Sequence, residues 1–128
     1  MAPPRPLRVL MVEDYPDVAT STAEILRLSG HEVRLAADGP AALEAVLAAE
    51  PDVVLLDLGL PKMDGYEVAR RLAASCGRRP YLIAVCGHGR AEDRRRSTEA
   101  GINLHLVKPA DPARLLRVLE ERHQMVTG

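Results

Sequence analysis

Short apolar runs alternate along the chain with longer stretches in which apolar residues recur every three or four positions. Glycine, proline or charged residues flank the short runs, as expected for strands that end in loops. Five strands are predicted on this basis, at residues 7–12, 32–36, 53–57, 81–85 and 104–107. The third contains four consecutive aliphatic residues, which predicts burial on both faces, as in the middle of a parallel sheet.

The longer stretches have the spacing and punctuation of helices. The first predicted helix begins near Pro16, which suits a first helical turn, and stops at Gly30. Its apolar positions recur at helical spacing: Val18, Thr22, Ile25 and Leu26. Further helices are predicted at residues 41–49 after an Asp38-Gly39-Pro40 turn, around Val68, Ala69 and Leu72, at 90–100, and after Asp111-Pro112.

Strands that alternate with helices over short connections require right-handed crossovers between parallel strands. We therefore predict an α/β domain with a five-stranded, doubly wound parallel sheet and helices on both faces. The flavodoxin-like strand order 2-1-3-4-5 is the common arrangement of this kind. The 128 residues suit one domain, expected at 7–124 between a flexible, proline-rich tail at 1–6 and a C-terminal tail at 125–128.

Composition and charge argue against several classes of protein. Lys and Arg total 17 against 18 Asp and Glu, so the overall charge gives no sign of direct nucleic-acid or anionic-membrane binding. No apolar run is long enough to span a bilayer, and the N terminus lacks the apolar core of a signal peptide. Cys76 and Cys86 have neither metal-site spacing nor a disulfide framework, which favours a reducing compartment. We expect a cytoplasmic protein.

Three of the five predicted strands end in charged residues. Glu13 and Asp14 follow the first strand, Asp57 ends the third and Lys108 follows the fifth. Ligands of open α/β sheets bind at the carboxyl ends of the strands, where the first and third strands are neighbours in the predicted order. Clustered carboxylates repel one another and favour a hard cation such as Mg²⁺, and a lysine opposite them can neutralise a transferred phosphoryl group.

These charged residues belong to a larger pattern that covers residues 7–123. Its parts follow in order: Glu13-Asp14, Asp57 with Pro61, Met63-Asp64-Gly65, a turn at Gly101, and Lys108-Pro109. The pattern resembles the receiver domain of bacterial two-component response regulators. Isolated acids have ordinary explanations, such as a helix cap at Asp14, but the complete set favours the receiver interpretation.

The resemblance implies a role for each residue of the site. Asp57 is the expected phosphoacceptor, taking a phosphoryl group from a sensor histidine kinase or a histidine phosphotransfer protein. Asp14 is a direct ligand of Mg²⁺, Glu13 acts on the metal often through water, Asp57 is a further ligand, and Gly59 offers its backbone carbonyl. Lys108 binds the phosphoryl oxygens. Such a domain is not an enzyme in its own right, although it assists its own phosphotransfer and dephosphorylation.

The family pattern further implies that phosphorylation alters a surface presented to a downstream protein. We expect no direct contact with nucleic acid or membrane, and a monomer or weak dimer. The chain is either a stand-alone regulator or a receiver from a longer protein such as a hybrid histidine kinase.

Two positions depart from the family pattern. Cys86 stands where Thr or Ser normally ends the fourth strand, and a thiol is a weak hydrogen-bond donor. His105 stands three residues before Lys108, where Tyr or Phe is usual. We expect phosphorylation to survive, with weaker coupling to the fourth-strand surface, so that the chain signals through another face or acts mainly as a phosphate relay or sink.

Two alternatives come from other classes of protein. A pseudo-receiver would be an interaction module that phosphorylation does not control, although the acids and Lys108 are all present. A phosphohydrolase of the haloacid dehalogenase type would need a second aspartate two residues after Asp57, where this chain has Gly59. Cys86 is interpreted as a small inert core residue rather than a redox sensor, and His105 as an edge residue rather than a metal ligand.

Overall fold

A computed structural model describes residues 6–59, 65–75, 80–86, 95, 98–107 and 111–127, without the side chains of Ser75, Cys86, Val126 and Thr127. Five strands form one parallel sheet in the order β2-β1-β3-β4-β5. They are β1 (Arg8–Val12), β2 (Glu32–Ala36), β3 (Val53–Asp57), β4 (Tyr81–Cys86) and β5 (Leu104–Val107). The predicted fold class and strand order are therefore confirmed. Strand β4 includes Cys86 as its last residue, one residue beyond the predicted strand at 81–85.

The backbones of four helices are described from end to end: α1 (Pro16–Leu28), α2 (Gly39–Ala48), α3 (Gly65–Ser75) and α4 (Pro112–Thr127). Most of the helix predicted at 90–100 lies outside the described residues, although Arg95, Thr98 and Glu99 are helical. Helix α4 continues through Thr127 and so includes residues that the sequence assigns to a C-terminal tail.

The sheet separates two hydrophobic cores, because successive side chains of a strand point to opposite faces. Leu10, Val54 and Leu82 lie on one face and pack with residues of α2 and α3. Val9, Val53 and Ile83 lie on the other face and pack with residues of α1 and α4. Every residue of β3 is buried, as its aliphatic sequence predicts.

Helix α1 packs through a different stripe from the one its larger apolar residues indicate. Its buried residues are Ala19, Ala23 and Leu26, whereas Val18 is 47% exposed and Ile25 is 36% exposed. Of the positions whose spacing predicts the helix, only Leu26 is buried. Alanines present little bulk and let the helix backbone approach the sheet closely, so the larger side chains are left on the flank.

Side-chain hydrogen bonds lie at the start of two of the helices. Helix α2 begins at Gly39, two residues earlier than the sequence predicts, because Oδ1 of Asp38 accepts a hydrogen bond from the backbone N–H of Ala41 at 2.9 Å. Pro40 lies in the first turn, where a missing N–H costs nothing, so the predicted turn is instead the start of the helix. Asp111 directly precedes α4, and its Oδ1 accepts a hydrogen bond from the N–H of Ala113 at 3.1 Å.

Candidate functional site at the carboxyl edge of the sheet

The site lies where β1 and β3 run side by side to the carboxyl edge of the sheet, with Val12 in register with Leu56. The chain leaves β1 toward β2 on one side and leaves β3 toward β4 on the other. The connections after the two strands therefore diverge, which opens a crevice between them. Residues that directly follow β1 or end β3 face each other across this crevice.

Three carboxylates meet in the crevice. Ligand oxygens of Glu13, Asp14 and Asp57 all lie within 4.8 Å of one another. Asp57 is only 6% exposed, Glu13 is half-buried and Asp14 is exposed. The backbone N–H of Glu13 donates to the carbonyl oxygen of Ala36 at 3.0 Å, which extends the pairing of β1 with β2 by one residue and places Glu13 at the sheet edge.

The electrostatics of this cluster favour a cation. Three negative charges at this separation repel one another, and burial of Asp57 removes part of the water that would screen them. Carboxylate oxygens are hard ligands of the kind that Mg²⁺ binds in proteins, together with water and substrate phosphates. The donor set, with both buried and solvent-accessible members, therefore fits Mg²⁺.

The backbone after β3 orients the carboxylate of Asp57. The N–H of Gly59 donates to Oδ1 of Asp57 at 2.8 Å, and the N–H of Leu58 donates to the carbonyl oxygen of Val85 at 3.0 Å. A Cβ on Gly59 would lie 3.3 Å from the same Oδ1, so a side chain there would crowd the carboxylate. The loop thus holds one carboxylate oxygen in a fixed position.

The interpretation of Asp14 as a helix cap is wrong. The N-cap residue of α1 is Tyr15, which makes no side-chain capping hydrogen bond, and Pro16 occupies the first turn. The carboxylate of Asp14 does not cap α1. It lies instead in the acidic cluster with Glu13 and Asp57.

The remaining predicted site residues are described only in part. Cys86 ends β4 at the same edge of the sheet, but its side chain lies outside the described residues, as does Lys108. His105 lies on β5, which is an edge strand, in register with Ala84. Ala84 belongs to the core on the α2 and α3 side, so the half-buried His105 points to that side of the sheet.

The sequence does not predict two features of the site. Gly65, the first residue of α3, packs against Leu58: an added Cβ would lie 2.6 Å from Cα of Leu58 and 3.0 Å from its carbonyl oxygen. The Met63-Asp64-Gly65 motif draws attention to Gly65, but it does not predict the contact of Gly65 with Leu58. The second is an apolar groove of about 470 Å³ beside Asp57, with Val18, Thr22, Pro112 and Leu115 among its lining residues.

Comparison with known proteins identifies relatives over most of the chain. The family model of the response regulator receiver domain matches residues 9–120. The transcriptional regulatory protein PrrA of Mycobacterium bovis is 39% identical over 102 residues, which cover 80% of this chain and 43% of PrrA.

Solved structures show the same similarity. A CheY-like response regulator receiver domain protein of Methanospirillum hungatei matches with a TM-score of 0.80 and 30% identity, covering 94% of this chain and 95% of that one. The BeF3-activated N-terminal receiver domain of Klebsiella pneumoniae RstA matches with a TM-score of 0.81 and 29% identity, covering 90% and 97%.

The doubly wound sheet with an acidic crevice at its switch point defines a flavodoxin-like domain whose carboxylates suit a cation. With the family match over residues 9–120, the chain belongs to the receiver domains of two-component response regulators. It spans less than half the length of the curated relative PrrA. Within the described residues, no helix is both long and apolar enough to cross a membrane.

Proposed function

We propose that this domain accepts a phosphoryl group on Asp57 from a phosphohistidine of a sensor kinase or histidine phosphotransfer protein, and changes a protein-binding surface in response. The observation that carries the proposal is the carboxylate cluster, in which a buried aspartate held by a backbone N–H lies beside two further acids. Such an arrangement is costly in a metal-free protein, which suggests selection for chemistry rather than for stability.

The proposed reaction is an in-line displacement at phosphorus. Oδ1 of Asp57 accepts from Gly59, so we assign the attack to Oδ2. A bond forms between this oxygen and phosphorus as the phosphorus–nitrogen bond of the phosphohistidine breaks, and the leaving imidazole takes up a proton. Glu13, Asp14 and Asp57, with the backbone carbonyl of Gly59, would hold Mg²⁺, which would offset negative charge on the phosphoryl oxygens. Lys108 is assigned to the same oxygens on its sequence position alone.

The product, an acyl phosphate, is later hydrolysed by water, which returns the Asp57 carboxylate and inorganic phosphate. Phosphorylation therefore marks the protein for a limited time. The domain accelerates a transfer that leaves it modified, so it acts as a phosphoacceptor and not as a turnover enzyme.

The direct test uses intact mass spectrometry of the wild-type chain after incubation with acetyl phosphate and Mg²⁺. We expect a gain of one phosphoryl group, its absence when a chelator is added, and its slow loss after the donor is removed. BeF3, which activates the similar RstA receiver, offers a second probe of the same site in the presence of Mg²⁺. No mass gain, together with Mg²⁺ binding measured separately, would contradict the proposal and favour the pseudo-receiver.

The groove beside Asp57 gives the phosphohistidine-bearing partner an apolar surface to contact. Val18 and Thr22 of α1 face it together with Pro112 and Leu115 of α4, and it leads to the Asp57 side chain. Val18 is 47% exposed, so its apolar surface is open to a partner without rearrangement.

Val18→Gln is therefore expected to slow phosphotransfer from an autophosphorylated sensor kinase by about tenfold, which corresponds to the loss of about 1.4 kcal/mol of contact energy. Its rate of phosphorylation by acetyl phosphate should stay at the wild-type value, because the carboxylates are unchanged. Leu28→Gln is the matched control, since Leu28 is 84% exposed at the other end of α1. Equal slowing in both variants, or slowing with acetyl phosphate, would argue against docking at the groove.

A further inference from the structure

A pair of histidines joins two distant parts of the chain at the amino edge of the sheet, away from the carboxylates. His31 precedes β2, and His123 lies near the end of α4. Their ring centroids are 5.9 Å apart with an interplanar angle of 73°, an edge-to-face contact. The pair therefore connects the turn between α1 and β2 with the last turns of α4.

The turn itself explains why His31 is buried. Gly30 has φ of +94°, its N–H donates to the carbonyl oxygen of Arg27, and the N–H of His31 donates to that of Leu26 at 3.2 Å. This is a Schellman motif, in which the residue after the glycine commonly packs an apolar side chain against the helix end. Here that position carries an ionisable ring that is only 6% exposed.

The surroundings of the buried His31 ring disfavour its protonated form. Nδ1 of His31 is buried and has no hydrogen-bond partner among the described residues. Burial lowers the pKa of His31 below its ordinary value, His123 lowers it further, and Glu120 of α4 raises it in part. Two charged residues lie close to His31 in the chain: Arg27 of α1, which donates to the carbonyl oxygen of Val33 at 2.8 Å, and the exposed Glu32 of β2.

The end of α4 has one further anchor close to this pair. The guanidinium carbon of Arg122 lies 4.8 Å from the ring centroid of Tyr81, at the start of β4. Two ring contacts, one through Arg122 and one through His123, thus fasten the last turns of α4 to the amino edge of the sheet.

We propose that His31 and His123 form a proton-sensitive latch, which holds the end of α4 against the turn between α1 and β2 and opens when His31 is protonated under mildly acidic conditions. A charge on the buried ring favours any state in which the ring reaches water. When the end of α4 undocks, it no longer covers His31, and the His31 and His123 rings separate. This motion therefore lowers the free-energy cost of protonating His31.

The sign of the effect follows from proton linkage. Because the pKa of His31 is lowered in the docked state, the undocked state binds more protons between that lowered value and the ordinary value of 6.5. Docking is therefore strongest above pH 6.5 and weakens as the pH falls through this window. Each unit of pKa difference contributes up to about a tenfold change in the undocking equilibrium.

Amide hydrogen exchange of the full chain, followed by NMR at about pH 7.5 and about pH 5.5 and corrected for intrinsic exchange, tests the latch. In the wild type, protection of the amides of residues 122–125 should fall toward acid pH, by at most about tenfold, while that of β3 is kept. His31→Leu, which places an apolar side chain at the Schellman position, should abolish this fall. His105→Gln, on the other side of the sheet, should retain it.

Two further measurements keep the test decisive if His31→Leu does not fold. The ring signals of His31 in the wild type should titrate below the ordinary range and together with the exchange of the α4 amides. Glu120→Gln should move the transition to lower pH, because the charge that favours protonated His31 is gone. Protection that is independent of pH in the wild type, or a pH-dependent fall that persists in His31→Leu, would overturn the proposal.

Discussion

Asp57→Asn is expected to abolish incorporation of a phosphoryl group from acetyl phosphate, because an amide has no carboxylate oxygen to attack phosphorus. Folding should survive, since the amide oxygen can still accept the hydrogen bond from the N–H of Gly59. Intact mass spectrometry of the variant under conditions that label the wild type measures the effect.

The same substitution should stabilise the metal-free protein. Removing one of three charges within 4.8 Å relieves repulsion, so the free energy of unfolding in a chelator is expected to rise by on the order of 1 kcal/mol. Stabilisation by added Mg²⁺ should shrink or vanish at the same time. Urea unfolding with and without Mg²⁺ measures both changes.

Asp52→Asn is the matched control for both measurements. Asp52 is also buried, at 8% exposure, and directly precedes the first residue of β3. Its Oδ2 accepts a hydrogen bond from the backbone N–H of Arg8 at 2.9 Å. It is not part of the acidic cluster, so this variant should be phosphorylated like the wild type. Loss of labelling in Asp52→Asn, or labelling retained in Asp57→Asn, would place the phosphoacceptor elsewhere.

Gly65→Ala is expected to destabilise the fold by about 3 kcal/mol, at the upper end of the range for overpacked sites. The added Cβ would lie 2.6 Å from Cα of Leu58, so the backbone that carries Leu58 or the start of α3 must move. Because Leu58 directly follows Asp57, we also expect slower phosphorylation. Urea unfolding and the rate of labelling by acetyl phosphate measure the two effects.

Two comparisons separate this steric effect from the general cost of replacing glycine. Gly30→Ala meets nothing within 4 Å, so its cost comes only from the positive φ of +94° and should be about 1–2 kcal/mol. Leu58→Ala combined with Gly65→Ala removes only the contact to Cδ2 and leaves the close approach to the Leu58 backbone. It should therefore not rescue stability; rescue would show that the side chain of Leu58 is the obstacle.

Much of the fold and the centre of the site were predictable from local sequence. Alternating strands and helices with short connections leave few topologies, and the order β2-β1-β3-β4-β5 is the common one. Parallel strands bring their carboxyl ends to one edge, so charges directly after β1 and at the end of β3 must converge. The meeting of Glu13, Asp14 and Asp57 confirms that argument.

The features that sequence reasoning missed depend on packing between distant segments. Helical spacing identified α1, but it could not show that the small Ala19 and Ala23 would face the sheet instead of Val18. The close approach of Gly65 to Leu58 is a property of two backbones, which no pattern of side chains records. Likewise, His31 and His123 are far apart in the sequence, and only the packing of α4 brings their rings together.

Helix α1 connects the acidic cluster at the carboxyl edge of the sheet with the histidine pair at its amino edge. It begins at Pro16, two residues after Asp14, and its closing turn at Gly30 directly precedes His31. Its 13 residues form a stiff rod of about 20 Å. A small tilt of this helix would displace residues at both of its ends. Any resulting coupling between the acidic cluster and the histidine pair must be reciprocal. If Mg²⁺ at one end favours the docked latch at the other, acidification must weaken Mg²⁺ binding by the same free energy.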